Sequence, residues 1–216
     1  MKRRHLLALA AAGSASAWAS PAALIAAAEA GDMATLRRLL DGGTPVDARD
    51  SRGRTALLAA THANRVEAAR ALIERGADVN AKDNIEDSPF LYAGAEGRLE
   101  ILRLTLAAGA DLSSTNRYGG TALIPAAHHG HVETVRALLK TRIAIDHVNR
   151  LGWTALLEAV ILGDGGPAQT EIVRLLVGHG ANVNLADAQG VTPLAHAEQR
   201  GQRAVAELLR RAGARR

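Results

Sequence analysis

The chain has 216 residues, of which 48% are hydrophobic, only 2% are aromatic and none is cysteine. A core made of Ala, Leu, Val and Ile favours closely spaced helices over a sandwich rich in Phe and Tyr. The lack of cysteine excludes disulfides, thiolate metal sites and a cysteine nucleophile. The formal net charge of +4 falls to +1 if the three basic residues 2–4 are removed, so charge gives little support for nucleic-acid binding.

Residues 1–19 have the pattern of a secretory signal peptide. A basic start precedes an apolar stretch from Leu6 to Ala12, and Ala17-Trp18-Ala19 forms a small-residue cleavage pattern. The apolar stretch is too short to cross a bilayer of about 30 Å as a helix. We therefore expect cleavage after Ala19, a periplasmic or secreted protein and no membrane contact after leader removal. The alternative is an uncleaved leader on a cytoplasmic protein.

The export route stays open between the Sec and twin-arginine pathways. The pair Arg3-Arg4 is typical of a twin-arginine signal. Lys2 and His5 flank this pair at positions where the fuller motif has other residues.

The rest of the chain is an internal repeat. Thr55, Ser88, Thr121 and Thr154 follow one another at intervals of 33 residues, and Thr192 comes 38 residues after Thr154. A series of glycines keeps step with them, with arginine at its fourth position: Gly43, Gly76, Gly109, Arg142, Gly180 and Gly213. The spacing predicts six units at about 20–49, 50–82, 83–115, 116–148, 149–186 and 187–216.

Each unit has the signals of two short helices followed by a turn. The Thr or Ser of the series caps the first helix through its hydroxyl oxygen, and we expect this of Ser88 and Thr121 as of the others. Gly76 and its equivalents end the second helix. Glycine also recurs in the turn, at Gly53 and its equivalents, but the third unit has Glu86 there, so we expect a distorted turn. One unit cannot bury its own apolar face, so stability comes from stacking.

This pattern resembles the ankyrin repeat. The residues that carry the resemblance are Thr192-Pro193-Leu194, Gly130-His131 with Glu133, and the Gly-Ala-Asp-Val-Asn type segments at 76–80 and 180–184. The resemblance implies an all-α ankyrin-repeat solenoid of about six helix-turn-helix units with projecting turns. It also implies a protein partner on the concave face, contacted by turn tips and by the first helix of each unit.

The resemblance places the partner-binding residues of this chain at those tips and helices, and Asp164 is added to them from the glycine-rich segment 161–173. Ile85, Tyr118 and Leu151 stand at successive turn tips. The candidate partner-binding residues are Tyr92, Glu96, Tyr118, His128, His129, Trp153, Glu158, Ile161, Leu162 and Asp164. For Tyr92 and Trp153 the alternative is packing against neighbouring repeats.

The sequence contains little that predicts catalysis. His128, His129 and His131 lie within four positions, but Gly130 falls where the repeat turns, so the three rings are not expected to converge on a metal. No G-x-S-x-G segment occurs. We expect a non-enzymatic protein without a cofactor or metal.

The segment ILGDGGPAQTEIV, residues 161–173, holds the five residues that lengthen the fifth unit. We expect Ile161 and Leu162 to end the first helix and Thr170 to Val177 to belong to the second. No lysine follows the glycines, as a phosphate-binding P-loop requires, but the backbone N–H groups of loop 163–167 suggest a small anion nest. The simpler interpretation is a tolerated loop insertion.

Together these patterns predict a monomeric, non-catalytic protein–protein interaction module that does not bind nucleic acid. We expect a periplasmic scaffold or protective partner of another protein. The alternative is a solenoid that binds a small molecule or an anion through loop 163–167.

Overall fold

The computed structural model describes residues 20–216. The predicted signal peptide and its cleavage after Ala19 therefore lie outside the described residues. The described chain forms twelve helices in six pairs, which confirms the predicted all-α architecture. The helices are α1 (Pro21–Ala30), α2 (Met33–Asp41), α3 (Ala56–His62), α4 (Val66–Glu74), α5 (Pro89–Ala95), α6 (Leu99–Ala107), α7 (Leu123–His128), α8 (Val132–Leu139), α9 (Ala155–Ile161), α10 (Pro167–Gly178), α11 (Pro193–Gln199) and α12 (Arg203–Arg211).

The pairs stack into a row with one continuous core. The first helix of each unit packs on the first helix of the next, and the second helices do the same. The same position of every first helix holds a large apolar side chain that is buried between units: Leu24, Leu57, Phe90, Leu123, Leu156 and Leu194. Because no unit encloses this side chain alone, each unit depends on its neighbours for stability.

Four of the five first helices in the Thr/Ser series begin with the predicted hydroxyl cap. The side-chain oxygens of Thr55, Ser88, Thr154 and Thr192 each accept the N–H three residues later at 3.2 Å. Each cap satisfies one of the backbone donors left free at a helix start.

The predicted cap at Thr121 is wrong. The Thr121 hydroxyl is buried without a hydrogen-bond partner, and α7 starts only at Leu123 with no side-chain cap. Pro125 explains the difference, because it lacks the N–H that would bond to the Thr121 carbonyl, and the N–H of Ile124 donates to that carbonyl instead, at 3.1 Å.

The second helices end as the glycine series predicts, except in the fourth unit. Gly43, Gly76, Gly109, Gly180 and Gly213 all have φ between 83° and 89°, the left-handed region that lets the chain turn away from the helix.

Arg142, which replaces that glycine, is not among the residues with positive φ. Thr141 supplies the missing bonds instead. Its hydroxyl donates to the Leu138 carbonyl at 2.6 Å and accepts the N–H of Ile143 at 3.2 Å. The fourth unit thus ends its second helix with a side chain rather than with a glycine.

The projecting turns share one hydrogen-bonding pattern. An Asp or Asn begins each turn, and its side-chain Oδ1 accepts the backbone N–H groups two and four residues later at 2.8–3.0 Å. These residues are Asp50, Asp83, Asn116, Asn149 and Asp187.

The predicted distortion of the third-unit turn is wrong. Glu86 adopts φ of 66°, close to the 74–80° of the glycines at the same position in the other turns. Its N–H donates to the Asp83 carbonyl at 3.1 Å, as Gly53 does to Asp50 at 2.9 Å. The side-chain and backbone bonds of Asp83 hold the turn in place, and the cost is backbone strain at a non-glycine residue.

Candidate functional site

A groove runs along the concave face of the third to fifth units. It is bounded by the first helices α5, α7 and α9 and by the turns that precede them, and its volume is about 420 Å³. Its lining residues are Asp87, Tyr92, Ala95, Glu96, Asn116, Arg117, Tyr118, Gly120, Ile124, Pro125, His128, His129, Asn149, Leu151, Glu158 and Leu162. This volume lies within the range of about 300–1,000 Å³ that is typical of binding pockets.

Seven of the ten predicted partner-binding residues line this groove. The three that do not are Trp153, Ile161 and Asp164. Trp153 is half-buried in the turn before α9, Ile161 is half-buried at the end of α9, and Asp164 is exposed in the loop that follows.

A row of exposed apolar side chains borders the groove at Tyr118 and Leu151 and continues beyond the groove to Ile85. Ile85, Tyr118 and Leu151 stand 33 residues apart at three successive turn tips, and they are 53%, 56% and 52% exposed. Leu162, at the end of α9, is 43% exposed. A row of large apolar side chains held in water by rigid turns is typical of an interaction surface.

A buried carboxylate lies on the groove floor. The Nδ2 atom of Asn149 donates to Oε1 of Glu158 at 2.9 Å, and Oε2 of Glu158 lies 3.7 Å from Nδ1 of His128. The Glu158 side chain is 9% exposed. Burial raises the pKa of Glu158, and the Asn149 hydrogen bond opposes that shift only in part. Burial, helped by the neighbouring His129, lowers the pKa of His128.

The histidines of the groove are held by ring contacts and backbone bonds. The rings of His128 and His129 have centroids 4.6 Å apart, and Nδ1 of His129 lies 2.7 Å from the carbonyl oxygen of Ala95. Nearby, the rings of His62 and Tyr92 stack with centroids 3.9 Å apart. Between residues 20 and 216, no group of three His, Asp or Glu side chains is arranged to hold a metal ion.

The other charged pair of the groove joins two turns. Arg117 Nη1 lies 3.4 Å from Oδ2 of Asp87, and the Arg117 guanidinium lies over the Tyr118 ring at 5.0 Å from its centroid. Burial raises the pKa of Asp87, although the Arg117 charge opposes the shift. This pair fixes Tyr118 at its exposed tip and neutralises one of the groove's carboxylates.

The glycine-rich loop is held by its own side chains and by the last unit. Asp164 Oδ1 accepts the N–H of Gly166 at 2.7 Å. Gln202 Nε2 donates to the carbonyl oxygens of Val160 at 2.9 Å and Gly163 at 3.0 Å. An anion in this loop would compete with the Asp164 carboxylate for the Gly166 N–H, and the anion site stays a prediction.

The second helix of the fifth unit starts earlier than expected. It begins at Pro167 rather than at Thr170, because proline fits the first helical position and Gly166 before it is extended. The first helix ends at Ile161, with Leu162 as its cap. Three of the five added residues thus extend the predicted helix, and the loop itself is short.

Two important residues escaped the sequence reasoning. Asn149 positions Glu158, and Gln202 ties the loop to the last unit. Asn149 could have been found from the sequence, because an Asp or Asn stands five residues before each member of the Thr series, at positions 50, 83, 116, 149 and 187. Gln202 had no such signal, since its acceptors are backbone carbonyls of the preceding unit.

The fold and its repeated turns define a class of protein, the helix-pair solenoids whose turns and first helices form a concave face. The chain matches the family model described as "Ankyrin repeats (3 copies)" over residues 5–83 and 90–187. It belongs to the ankyrin repeat family. Repeats of this family are typically protein-interaction modules and generally non-catalytic.

The chain is similar to several ankyrin repeat proteins. An ankyrin repeat domain, ABAYE2397 from Acinetobacter baumannii AYE, shares 60% sequence identity at a TM-score of 0.87, over 89% of this chain and 98% of that one. The ankyrin repeat protein EF0377 shares 43% at 0.85, over 88% and 98%. The putative ankyrin repeat protein YahD of Escherichia coli (strain K12) is 51% identical over 57 residues, 26% of this chain and 28% of YahD.

The likeness extends to a third solved structure. The ankyrin repeat domain of Bcl-3, a member of the IkappaB protein family, shares 30% identity at a TM-score of 0.80, over 91% of this chain and 87% of that one. Among the helices of residues 20–216, none combines the length and apolar character needed to span a membrane.

Proposed function

We propose that the chain is a non-catalytic protein-binding module that holds one protein partner in the groove of its third to fifth units. The observation that carries the proposal is the row of exposed apolar side chains, Ile85, Tyr118 and Leu151, on three successive rigid tips. Tyrosine is favoured at interfaces because it buries a large area at a small cost in conformational entropy. The family supports the same function.

We further propose that the module acts in the periplasm as a scaffold or protective partner of another protein. The support is the leader pattern of residues 1–19, with its basic start and small-residue cleavage pattern. Fractionation of cells that express the full-length chain, followed by N-terminal sequencing, tests this part. A mature N-terminus at Ser20 in the periplasmic fraction is expected, and an intact chain in the cytoplasm contradicts it.

The binding function is tested by capturing the partner and then truncating side chains that line the groove. The full-length tagged chain is cross-linked in its own host, and the partner is identified by mass spectrometry and purified. Its affinity is then measured for the wild-type protein, for Tyr118→Ala and for Leu151→Ala. We expect each variant to bind at least about tenfold more weakly, because hot-spot truncations cost about 2 kcal/mol.

Val148 offers a matched control, because it is also an exposed large apolar residue but does not line the groove. Val148→Ala is expected to bind as the wild type does. Equal affinity of all four proteins would show that the partner binds elsewhere. Thermal melting should be unchanged in the three variants, since the truncated side chains are exposed.

A further inference from the structure

We infer that the groove accepts an arginine side chain of its protein partner, with Glu158 as the acceptor and with apolar residues of the partner on either side of the arginine. This inference rests on the proposed function and names the chemistry of the segment that fills the groove. Three properties of the groove lead to it.

The first property is an unsatisfied carboxylate oxygen. Glu158 is nine-tenths buried and its Oε1 accepts from Asn149, but Oε2 receives no hydrogen bond from residues 20–216. The nearest basic atom, Nδ1 of His128, is 3.7 Å away, beyond hydrogen-bond distance. Because the Glu158 side chain is 9% exposed, a donor from a bound partner that reaches Oε2 would be less screened by water there than on an open surface.

The second property is the charge balance of the lining. The lining contains three carboxylates, from Asp87, Glu96 and Glu158. It contains one arginine, Arg117, and no lysine. Arg117 is paired with Asp87. Within the described chain, Glu96 and Glu158 have no arginine or lysine partner, so the groove is complementary to a cation.

The third property is the apolar rim around this carboxylate. Tyr118, Leu151 and Leu162 line the same groove and are largely exposed. A cation that reaches Glu158 therefore passes between apolar side chains. Arginine suits this path because its stem is apolar, and because its guanidinium is more weakly hydrated than an ammonium and binds carboxylates through several donors. The groove spans successive turns, so an extended segment with apolar neighbours of the arginine would contact several tips together.

Synthetic peptides test the inference without knowledge of the natural partner. The probes are fluorescein-labelled heptapeptides Gly-Ser-Leu-X-Leu-Ser-Gly, with blocked ends and X as arginine, lysine or citrulline, a neutral isostere of arginine. Binding to the full-length purified protein is followed by fluorescence anisotropy. We expect the arginine peptide to bind at least tenfold more tightly than the citrulline peptide, with lysine in between.

Glu158→Gln keeps the size of the side chain and removes its charge. This variant is expected to reduce the arginine-to-citrulline ratio below about threefold, whereas Glu133→Gln, a matched change at an exposed position of α8, leaves the ratio unchanged. Leu151→Ala should weaken all three peptides and preserve the ratio. Circular dichroism and thermal melting confirm that each variant is folded, and Glu158→Asp, which keeps the charge, serves as the second variant and should retain part of the preference.

Three results would overturn the inference: equal binding of the arginine and citrulline peptides, a preference that survives Glu158→Gln, or no binding of the arginine peptide at millimolar concentration. The captured partner separates this failure from a failure of the proposed function. If Tyr118→Ala weakens binding of the partner and Glu158→Gln does not, the groove binds protein without an arginine contact. If neither variant weakens binding, the partner binds elsewhere, and the binding function proposed for the groove fails.

Discussion

The fifth and sixth units use the same two positions in chemically opposite ways. In each unit the Asp or Asn that begins the turn reaches a side chain nine residues later on the first helix. In the fifth unit, the amide of Asn149 donates to Glu158 at 2.9 Å. In the sixth, Nε2 of His196 and Oδ2 of Asp187 lie 2.7 Å apart. The acid stands on the helix in one unit and in the turn in the other.

The two acids differ in how many donors surround them. Burial acts to raise the pKa of Asp187, but hydrogen bonds from the Val191 backbone, from His196 and from the Gln189 backbone lower it overall. Glu158 has one side-chain donor, and burial keeps its pKa raised. The same backbone geometry therefore holds an acid with several hydrogen-bond donors in the last unit and an acid that can accept further hydrogen bonds in the groove.

The largest expected effect comes from placing a second acid in the fifth unit. Asn149→Asp keeps the acceptor that holds the turn, but it replaces the donor to Glu158 with a carboxylate oxygen. Two buried carboxylates in contact should lower the free energy of unfolding at pH 7 by roughly 3 kcal/mol. Urea unfolding measures the change.

The double variant Asn149→Asp with Glu158→His copies the sixth unit into the fifth. It is expected to recover more than half of the loss, because the new pair matches that of Asp187 and His196. No recovery would mean that the two turns differ in more than their side chains.

A smaller effect is expected where the two units are joined. Gln202→Ala removes both donors to the buried carbonyls of Val160 and Gly163. The free energy of unfolding should fall by about 2 kcal/mol. Gln199→Ala, an exposed change on α11, is the control and should stay within about 0.5 kcal/mol. Equal effects of the two variants would show that the loop is independent of the last unit.

The two acids should also respond to pH with opposite sign. Because the pKa of Glu158 is raised, its contribution to stability is complete below its ordinary value of 4.5 and is lost as the pH rises through the raised value. Because the pKa of Asp187 is lowered, its contribution is complete above 3.8 and is lost as the pH falls through the lowered value.

Urea unfolding of Glu158→Gln, Asp187→Asn and the wild type between about pH 3 and pH 8 tests these signs. Relative to the wild type, Glu158→Gln should gain stability as the pH rises, and Asp187→Asn should gain stability as the pH falls. Parallel profiles for all three proteins would contradict both assignments.

The smallest effect extends the comparison of turns to the third unit. Glu86 has φ of 66° where the fifth and sixth units have glycine. Glu86→Gly should relieve the strain and stabilise the fold by about 0.5 kcal/mol, since the greater freedom of glycine in the unfolded chain offsets part of the gain. Differential scanning calorimetry is the measurement, and a lower melting temperature would show that the Glu86 side chain stabilises the turn.

Local signals made much of the architecture predictable. The regular spacing of Thr55 and its equivalents and the glycines of the same period identified six helix pairs, because caps and turns depend on a few neighbouring residues. The same reasoning failed at Thr121, where Pro125 four residues later changes the helix start. It also failed at Glu86, where the side chain of Asp83 holds a conformation that the residue disfavours.

The candidate site was predictable as a set of positions but not as a geometry. Seven of the ten proposed residues line one groove because the repeat fixes which positions face the concave side. Trp153 and Asp164 fall outside it because the turn hydrogen bonds of Asn149 and the short loop before α10 set the local path of the chain.

The sequence by itself determined the repeat, the helix pairs and the position of the long fifth unit, since those features depend on periodicity and on short-range bonds. The tertiary structure alone decided that Glu158 is buried with one free oxygen beside His128, and that Gln202 bonds to Val160, 42 residues earlier. Such contacts join residues of different units, and their energies depend on burial and donor count, which arise only when the units stack. The glycine-rich segment that lengthens the fifth unit is therefore a connection beside the groove that a side chain of the last unit holds by hydrogen bonds.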